Sequence, residues 1–500
     1  MSLNPEPSQP EEREAHNLAP KSYAEAAEEG TLLHSHTNRL NGVKETNARS
    51  VLTNGSSKPS TPQEPDKEQY EGSGQDSTPR SPIRKGHKRN SSSRSNGSKK
   101  TKKDEHSNSQ MYEQYKDGDG ELLTSVKPSD NYEKEPRQDK EEGKKKGQLV
   151  PGRMAGAGWQ KSSIRFAPLN VPVQRRLQTL VVLMHTLSIA LSLASFFLLC
   201  GVPIFWPILL PYLIYVLFSN AGTSGQLYYR NESFRRSSIW SLFASYFPAR
   251  LHRSEVLPST RKYIFGYHPH GIISHGAFAA FATEALGFSQ LFPGIKNTLL
   301  TLDSNFRIPL YREYALRMGL ASVSRESCEN ILSKGGPNGE GMGRAITIVI
   351  GGARESLDAR PGAMRLVLGR RKGFVKLAIR TGADLVPVLA FGENDIYEQV
   401  DAAEHPRVHR LQLLVKKLMG FTVPLFHARG VFNYDVGMMP YRRPLNVVVG
   451  RPIKVMQNAH PDKDYVDSVH AEYVKELIRI WDGWKDTFAK DRKEELEIIE

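Results

Sequence analysis

The sequence predicts an α/β domain on a mostly parallel, largely buried sheet with flanking helices, preceded by an apolar hairpin and a long disordered tail. Three observations carry that expectation. Residues 1–150 are poor in large apolar side chains. No Asp, Glu, Lys or Arg occurs between Arg176 and Arg230. From about Leu257 onward, short β-rich runs alternate with helical stretches.

Residues 1–150 hold 25 Lys+Arg and 25 Asp+Glu among abundant Ser, Asn, Pro and Gly. Such a stretch cannot bury enough apolar surface to offset the entropy of ordering it, so disorder is expected. The formal charge of +14 therefore resides in residues 151–500, where it would draw in anionic headgroups or a polyanionic substrate. A serine-studded basic island, Arg80 to Lys103, reads as a solvated linker. No aromatic side chains interleave it for base stacking, and nucleic acid is not an expected partner. The start, Met1-Ser2-Leu3-Asn4, has no apolar run of the signal-peptide kind. Two cysteines, Cys200 and Cys328, speak against a disulfide framework or a cysteine zinc site.

Within the uncharged gap, Leu177 to Cys200 is apolar and long enough to cross a bilayer as one helix. Gly201, Pro203, Pro207 and Pro211 interrupt the pattern, and Ile204 to Phe218 is a shorter second stretch. Arg175 and Arg176 flank one end; Arg230, Arg235 and Arg236 flank the other. Basic residues on both sides suit a membrane-embedded hairpin over 176–230 with two cytosolic ends.

The following domain, 240–492, has strand candidates at Lys262–Gly266, Ala345–Ile350, Leu385–Phe391 and Leu445–Val449. Helices are expected near Ser274–Ala285, Arg312–Met318, Arg325–Leu332, Gly373–Thr381 and Pro406–Met419, with a polar amphipathic helix from Asp464 to Arg492.

Three clusters could carry chemistry. Tyr267-His268-Pro269-His270-Gly271 follows a strand, where open α/β sheets build sites. Pro restricts and Gly releases the backbone, so two imidazoles sit on a shaped loop and can accept an alcohol proton. Two histidines without a clear third ligand make a poor metal site, and none is expected. Gly351-Gly352-Ala353-Arg354-Glu355-Ser356 follows another strand; Arg354 could hold phosphate and Glu355 orient a histidine. Arg370-Arg371-Lys372-Gly373-Phe374-Val375-Lys376 puts four cations at a helix start, a sensible phosphate site. There is no G-x-S-x-G elbow, and the glycines from 335 to 343 lack a phosphate loop's Lys-Ser/Thr.

In order along the chain, Tyr246-Phe247-Pro248, His268-Pro269-His270-Gly271, Pro309-Leu310-Tyr311-Arg312-Glu313-Tyr314, Gly351-Gly352-Ala353-Arg354-Glu355-Ser356, Arg371-Lys372-Gly373-Phe374, Phe391-Gly392-Glu393-Asn394-Asp395 and Phe432-Asn433-Tyr434 resemble the type 2 diacylglycerol acyltransferase family. The resemblance runs from about Arg175 to about Arg492. It implies an acyltransferase-like fold and transfer of an acyl group from acyl-CoA to diacylglycerol, making triacylglycerol without a cofactor. It implies catalytic roles for His270, His268 and Glu355. Gly271, Arg354, Arg371, Lys372, Arg312, Glu313 and Asn394 become substrate-binding candidates. Membrane lipid and a second copy of the chain are further implied partners, with the endoplasmic reticulum and lipid droplets as locations. The same chemistry could serve monoacylglycerol or a fatty alcohol; a non-catalytic lipid-droplet scaffold would leave the histidine loop unexplained. Two departures stand out. Ala428-Arg429-Gly430 replaces the family's frequent Gly-Arg-Gly, and His275 stands where related glycerolipid enzymes carry an orienting Asp.

Overall fold

The computed structural model describes residues 111–117, 120–128, 166–167, 171–399, 405, 407, 410–412, 414 and 425–499. In chain order the strands are β1 (Tyr112–Lys116), β2 (Leu122–Val126), β3 (Arg250–Arg253), β4 (Tyr263–His268), β5 (Lys296–Thr301), β6 (Ala321–Ser322), β7 (Arg344–Val349), β8 (Met364–Val367), β9 (Asp384–Phe391), β10 (Glu398–Gln399), β11 (Phe426–His427), β12 (Asn446–Val449) and β13 (Leu496–Ile499). The principal helices are α1 (Val173–Thr186), α2 (Ser188–Cys200), α3 (Trp206–Phe218), α4 (Ser238–Tyr246), α5 (Tyr311–Arg317), α6 (Arg325–Ser333), α7 (Gly352–Leu357), α8 (Gly373–Thr381) and α9 (Lys463–Phe488).

Nine strands form one sheet in the order β1-β2-β3-β12-β9-β4-β7-β5-β6. From β9 to β6 every neighbour is parallel; β12 enters antiparallel to β9 and parallel to β3. β4 and β9 are buried along their whole length, as strands covered on both faces must be, which is why their stretches 263–267 and 385–391 read as continuous apolar runs. One covering face comes from α9, whose Val466, Val469, Tyr473, Leu477, Ile480 and Trp484 recur at helical spacing and are buried. The other carries the aromatic cluster of α4 and Phe278–Ala282.

The mostly parallel α/β sheet agrees with the sequence expectation; several elements differ. Residues 112–116 and 122–126 lie inside the stretch expected to be disordered, yet form the β1–β2 hairpin at the sheet edge. Leu123 and Ser125 alternate inward and are fully buried, a two-residue period too brief to register in a 150-residue polar average. The rest of residues 1–150 lies outside the described residues, save the flanks of this hairpin. The expected helix Ser274–Ala285 is a short turn, His275–Ala277, running into a π-helix, Phe278–Ala282. Most of the expected helix Pro406–Met419 lies outside the described residues. At the other end, β13 pairs with β8 beyond the expected limit of 492.

The apolar stretch also departs from one continuous helix. Among the described residues no single helix is long and apolar enough to cross a membrane; α1 and α2 meet at a 68° bend. The bend exists because α1 belongs to the domain: Gln178 and Val182 are buried, and His185 packs 4.0 Å from the Phe278 ring. α2, α3 and the turn between them instead present Phe197, Leu198, Ile204, Ile208, Leu210 and Phe218 outward, each more than half exposed.

Candidate active site

The central strands β4, β7 and β9 run parallel, so their C-terminal ends emerge side by side. Each hands over to a loop: His268–Gly271 after β4, Gly351–Gly352 after β7, Gly392–Ile396 after β9. The crevice beyond parallel strand ends is where α/β sheets bind ligands. Hydrogen bonds tie these loops together.

His270 is half-buried and forms the centre. Its Nδ1 lies 2.9 Å from the Gly271 carbonyl oxygen. A carbonyl can only accept, so Nδ1 carries the proton and Nε2 holds the free lone pair. Burial first, then the Arg371 charge, holds the His270 pKa below its ordinary 6.5, so the ring is neutral and basic at Nε2 near neutral pH. Gly271 adopts φ +57°, and a Cβ there would lie 2.7 Å from Glu393 Cγ, so only glycine fits the turn.

Glu355 reaches this loop from α7, through the backbone rather than the imidazole. One carboxylate oxygen accepts the His270 N–H at 2.5 Å, and the other accepts the Val367 N–H at 2.8 Å. Fully buried, it is pushed up from 4.5 to about 7, chiefly by desolvation. Arg371 is also buried, beside Gly352, and its charge acts on His268, His270 and Glu355 together.

His268 has no exposure. The Tyr473 hydroxyl donates to the Gly266 carbonyl at 3.0 Å and accepts from His268 Nε2 at 3.1 Å. Burial pulls its pKa to about 3, so it is a neutral fixture under the loop.

Glu393, not singled out from the sequence, braces the loop from the β9 side. It accepts from the Tyr267 hydroxyl at 2.7 Å and the Gly276 N–H at 2.8 Å, and burial pushes it to about 7. The available signal was an acid two positions after the apolar run 385–391. Neighbouring Asn394 donates to the Ala363 carbonyl at 2.9 Å, which anchors the approach to β8.

Of the remaining candidates, Lys372, Arg312 and Glu313 are engaged elsewhere. Lys372 pairs with Asp467 of α9 at 2.7 Å, and Arg354 is partly buried on α7. Arg312 is fully buried under the Tyr215 ring at 4.5 Å and donates to Ser219 Oγ at 2.6 Å. Glu313 accepts from the Tyr212 hydroxyl at 2.6 Å, so this pair grips α3 rather than the histidine loop. His275, in place of the orienting Asp, bonds the Tyr397 hydroxyl at 2.9 Å. Ala428 lies outside the positive-φ region, so its methyl group costs nothing.

An apolar cavity of ≈ 260 Å³ opens beside the α1–α2 bend, lined by Leu183, Leu187, Val431, Met438 and Met439.

Known proteins bear on this geometry in a consistent way. A family model described as Diacylglycerol acyltransferase matches residues 197–499. Diacylglycerol O-acyltransferase 2A of Umbelopsis ramanniana is 49% identical over 343 residues, covering 68% of this chain and 94% of that protein. Diacylglycerol O-acyltransferase 1 of Schizosaccharomyces pombe is 45% identical over 65% of this chain and 92% of its own length. The 2-acylglycerol O-acyltransferase 1 of Bos taurus is 43% identical, over 67% and 98%. Three strand-end loops joined around a neutral histidine thus sit in a chain that belongs to the diacylglycerol acyltransferase family.

Proposed function

We propose that this chain moves a fatty acyl group from acyl-CoA to the free hydroxyl of diacylglycerol, with His270 Nε2 as general base. The observation that carries the reading is the Nδ1–H bond from His270 to the Gly271 carbonyl, which leaves Nε2 as the acceptor nitrogen. Nε2 takes the hydroxyl proton as the alcohol oxygen bonds the thioester carbon. Collapse of the tetrahedral adduct breaks the C–S bond, and the imidazolium returns the proton to the departing CoA sulfur. Glu355, Glu393 and His268 are positioning residues that hold the loop from three sides. Buried Arg371 and partly buried Arg354 supply positive charge near the loop for CoA phosphates.

Access comes from the bilayer in this reading. The outward apolar faces of α2 and α3 seat residues 188–218 in the membrane, with α1 and the catalytic domain on the cytosolic side. The cavity at the α1–α2 bend then faces the layer in which diacylglycerol and triacylglycerol are dissolved. Endoplasmic reticulum and lipid droplets are the proposed sites of action.

Membranes containing the full chain, given radiolabelled acyl-CoA with diacylglycerol, monoacylglycerol or a fatty alcohol, test the acceptor. Label chiefly in triacylglycerol supports the reading, and label in another product reassigns the acceptor. His270→Ala should lower turnover at least ~100-fold with membrane association intact. Wild-type turnover in that variant would refute the assignment of the base.

A further inference from the structure

The β1–β2 hairpin lies outside the matched family region, 197–499, yet it completes the catalytic sheet. Its β2 strand adds antiparallel to β3, pairing Thr124 with Arg253 and Ser125 with His252. Leu123 is fully buried in the core cluster that contains Tyr473, Trp481 and Trp484 of α9. Tyr115 stands edge-on to the His252 ring at 4.9 Å and touches Phe488 at 5.9 Å. Charge complements shape. Glu121 bonds Arg479 and lies 3.3 Å from Arg451, while Glu113 lies 3.5 Å from Arg250.

These contacts converge on α9. Arg479 and Phe488 meet the hairpin, and Tyr473, less than two turns before Arg479, holds His268 and the Gly266 carbonyl under the catalytic loop. Glu476, between them, ties Arg479 to the Arg451 backbone. An unbroken line of packed groups therefore runs from the N-terminal segment through one rigid helix to His268.

We infer that the β3 edge and the C-terminal half of α9 form a docking surface for a β-hairpin, that residues 112–126 fill it in cis, and that docking holds α9 in the register the His268–Gly271 loop requires. The loop's catalytic role rests on the function proposed above. The docking claim does not, because it is read directly by hydrogen exchange.

The test compares full-length wild type, Leu123→Asp and Leu123→Met. Hydrogen exchange at Arg250–Arg253 and proteolysis within 111–128 report docking; acyl transfer reports the loop. In Leu123→Asp, β3 amides should lose protection, the hairpin should become cleavable, and kcat should fall about fivefold or more at little-changed KM for acyl-CoA, the low end of typical coupling. Leu123→Met should retain all three wild-type properties. Unchanged β3 protection in Leu123→Asp, or lost protection with unchanged kcat, overturns the inference. Inactive wild type with the expected exchange pattern counts against the proposed function alone.

Discussion

Glu355→Gln separates what the buried carboxylate does from what the imidazole does. Glu355 satisfies two backbone donors, one on the catalytic loop and one at the end of β8. Glutamine keeps the shape but offers a single acceptor oxygen, so its amide nitrogen must face one of those N–H groups. A buried donor left unpaired costs about 1–3 kcal/mol. If the loss falls on His270, the loop loosens and kcat drops by roughly 5- to 150-fold. If it falls on Val367, the same cost is read as lower thermal stability with less effect on turnover. Glu355→Ala orphans both donors and should show both effects. The assay is kcat and KM for acyl-CoA in membranes, beside thermal unfolding of the purified protein. Wild-type kcat and wild-type stability together in Glu355→Gln would refute the bracing argument. The pH dependence has a definite sign. Burial raises Glu355 from 4.5 to about 7, so the native state retains a proton the unfolded chain has already released. Its contribution to stability is complete below pH 4.5 and is lost as pH rises through 7. Glutamine cannot ionise, so the stability difference between variant and wild type should move in the variant's favour from pH 5 to pH 8. Glu393 titrates in the same range but is present in both proteins and cancels.

Gly271→Ala should abolish acyl transfer, because a Cβ at φ +57° meets Glu393 and forces the loop open; near-normal activity would contradict this. Tyr473→Phe leaves the His268 Nε2–H and the Gly266 carbonyl without their shared hydroxyl, and should lower both thermal stability, by about 1–3 kcal/mol, and kcat. Arg312→Ala removes the cation under Tyr215 and the bond to Ser219, so proteolysis at 219–224 should accelerate while KM for acyl-CoA is unchanged; a rise in that KM would instead place Arg312 in substrate binding.

Much of the catalytic half is legible in the chain. The buried strands β4 and β9 appear as apolar runs because both their faces are covered, and α8 is found at its expected limits, Gly373–Thr381. The histidine loop is marked by its own composition: proline and glycine flank His270 because the backbone there must turn sharply at a strand end. Family membership follows from the same motifs. Tertiary structure decided which charges are spent on the fold. Lys372 and Arg312 look like anion ligands in sequence, but each finds its partner, Asp467 or Ser219, 95 and 93 residues away, and no local pattern encodes such a pairing. Glu355 was a candidate partner for an imidazole, and only the approach of α7 to β4 made it a partner for a peptide N–H. The β1–β2 hairpin is the clearest case. A five-residue strand acquires its stability from the sheet edge it joins, so its sequence carries a weak alternation and nothing else, and the edge that receives it is built from residues more than a hundred positions further on.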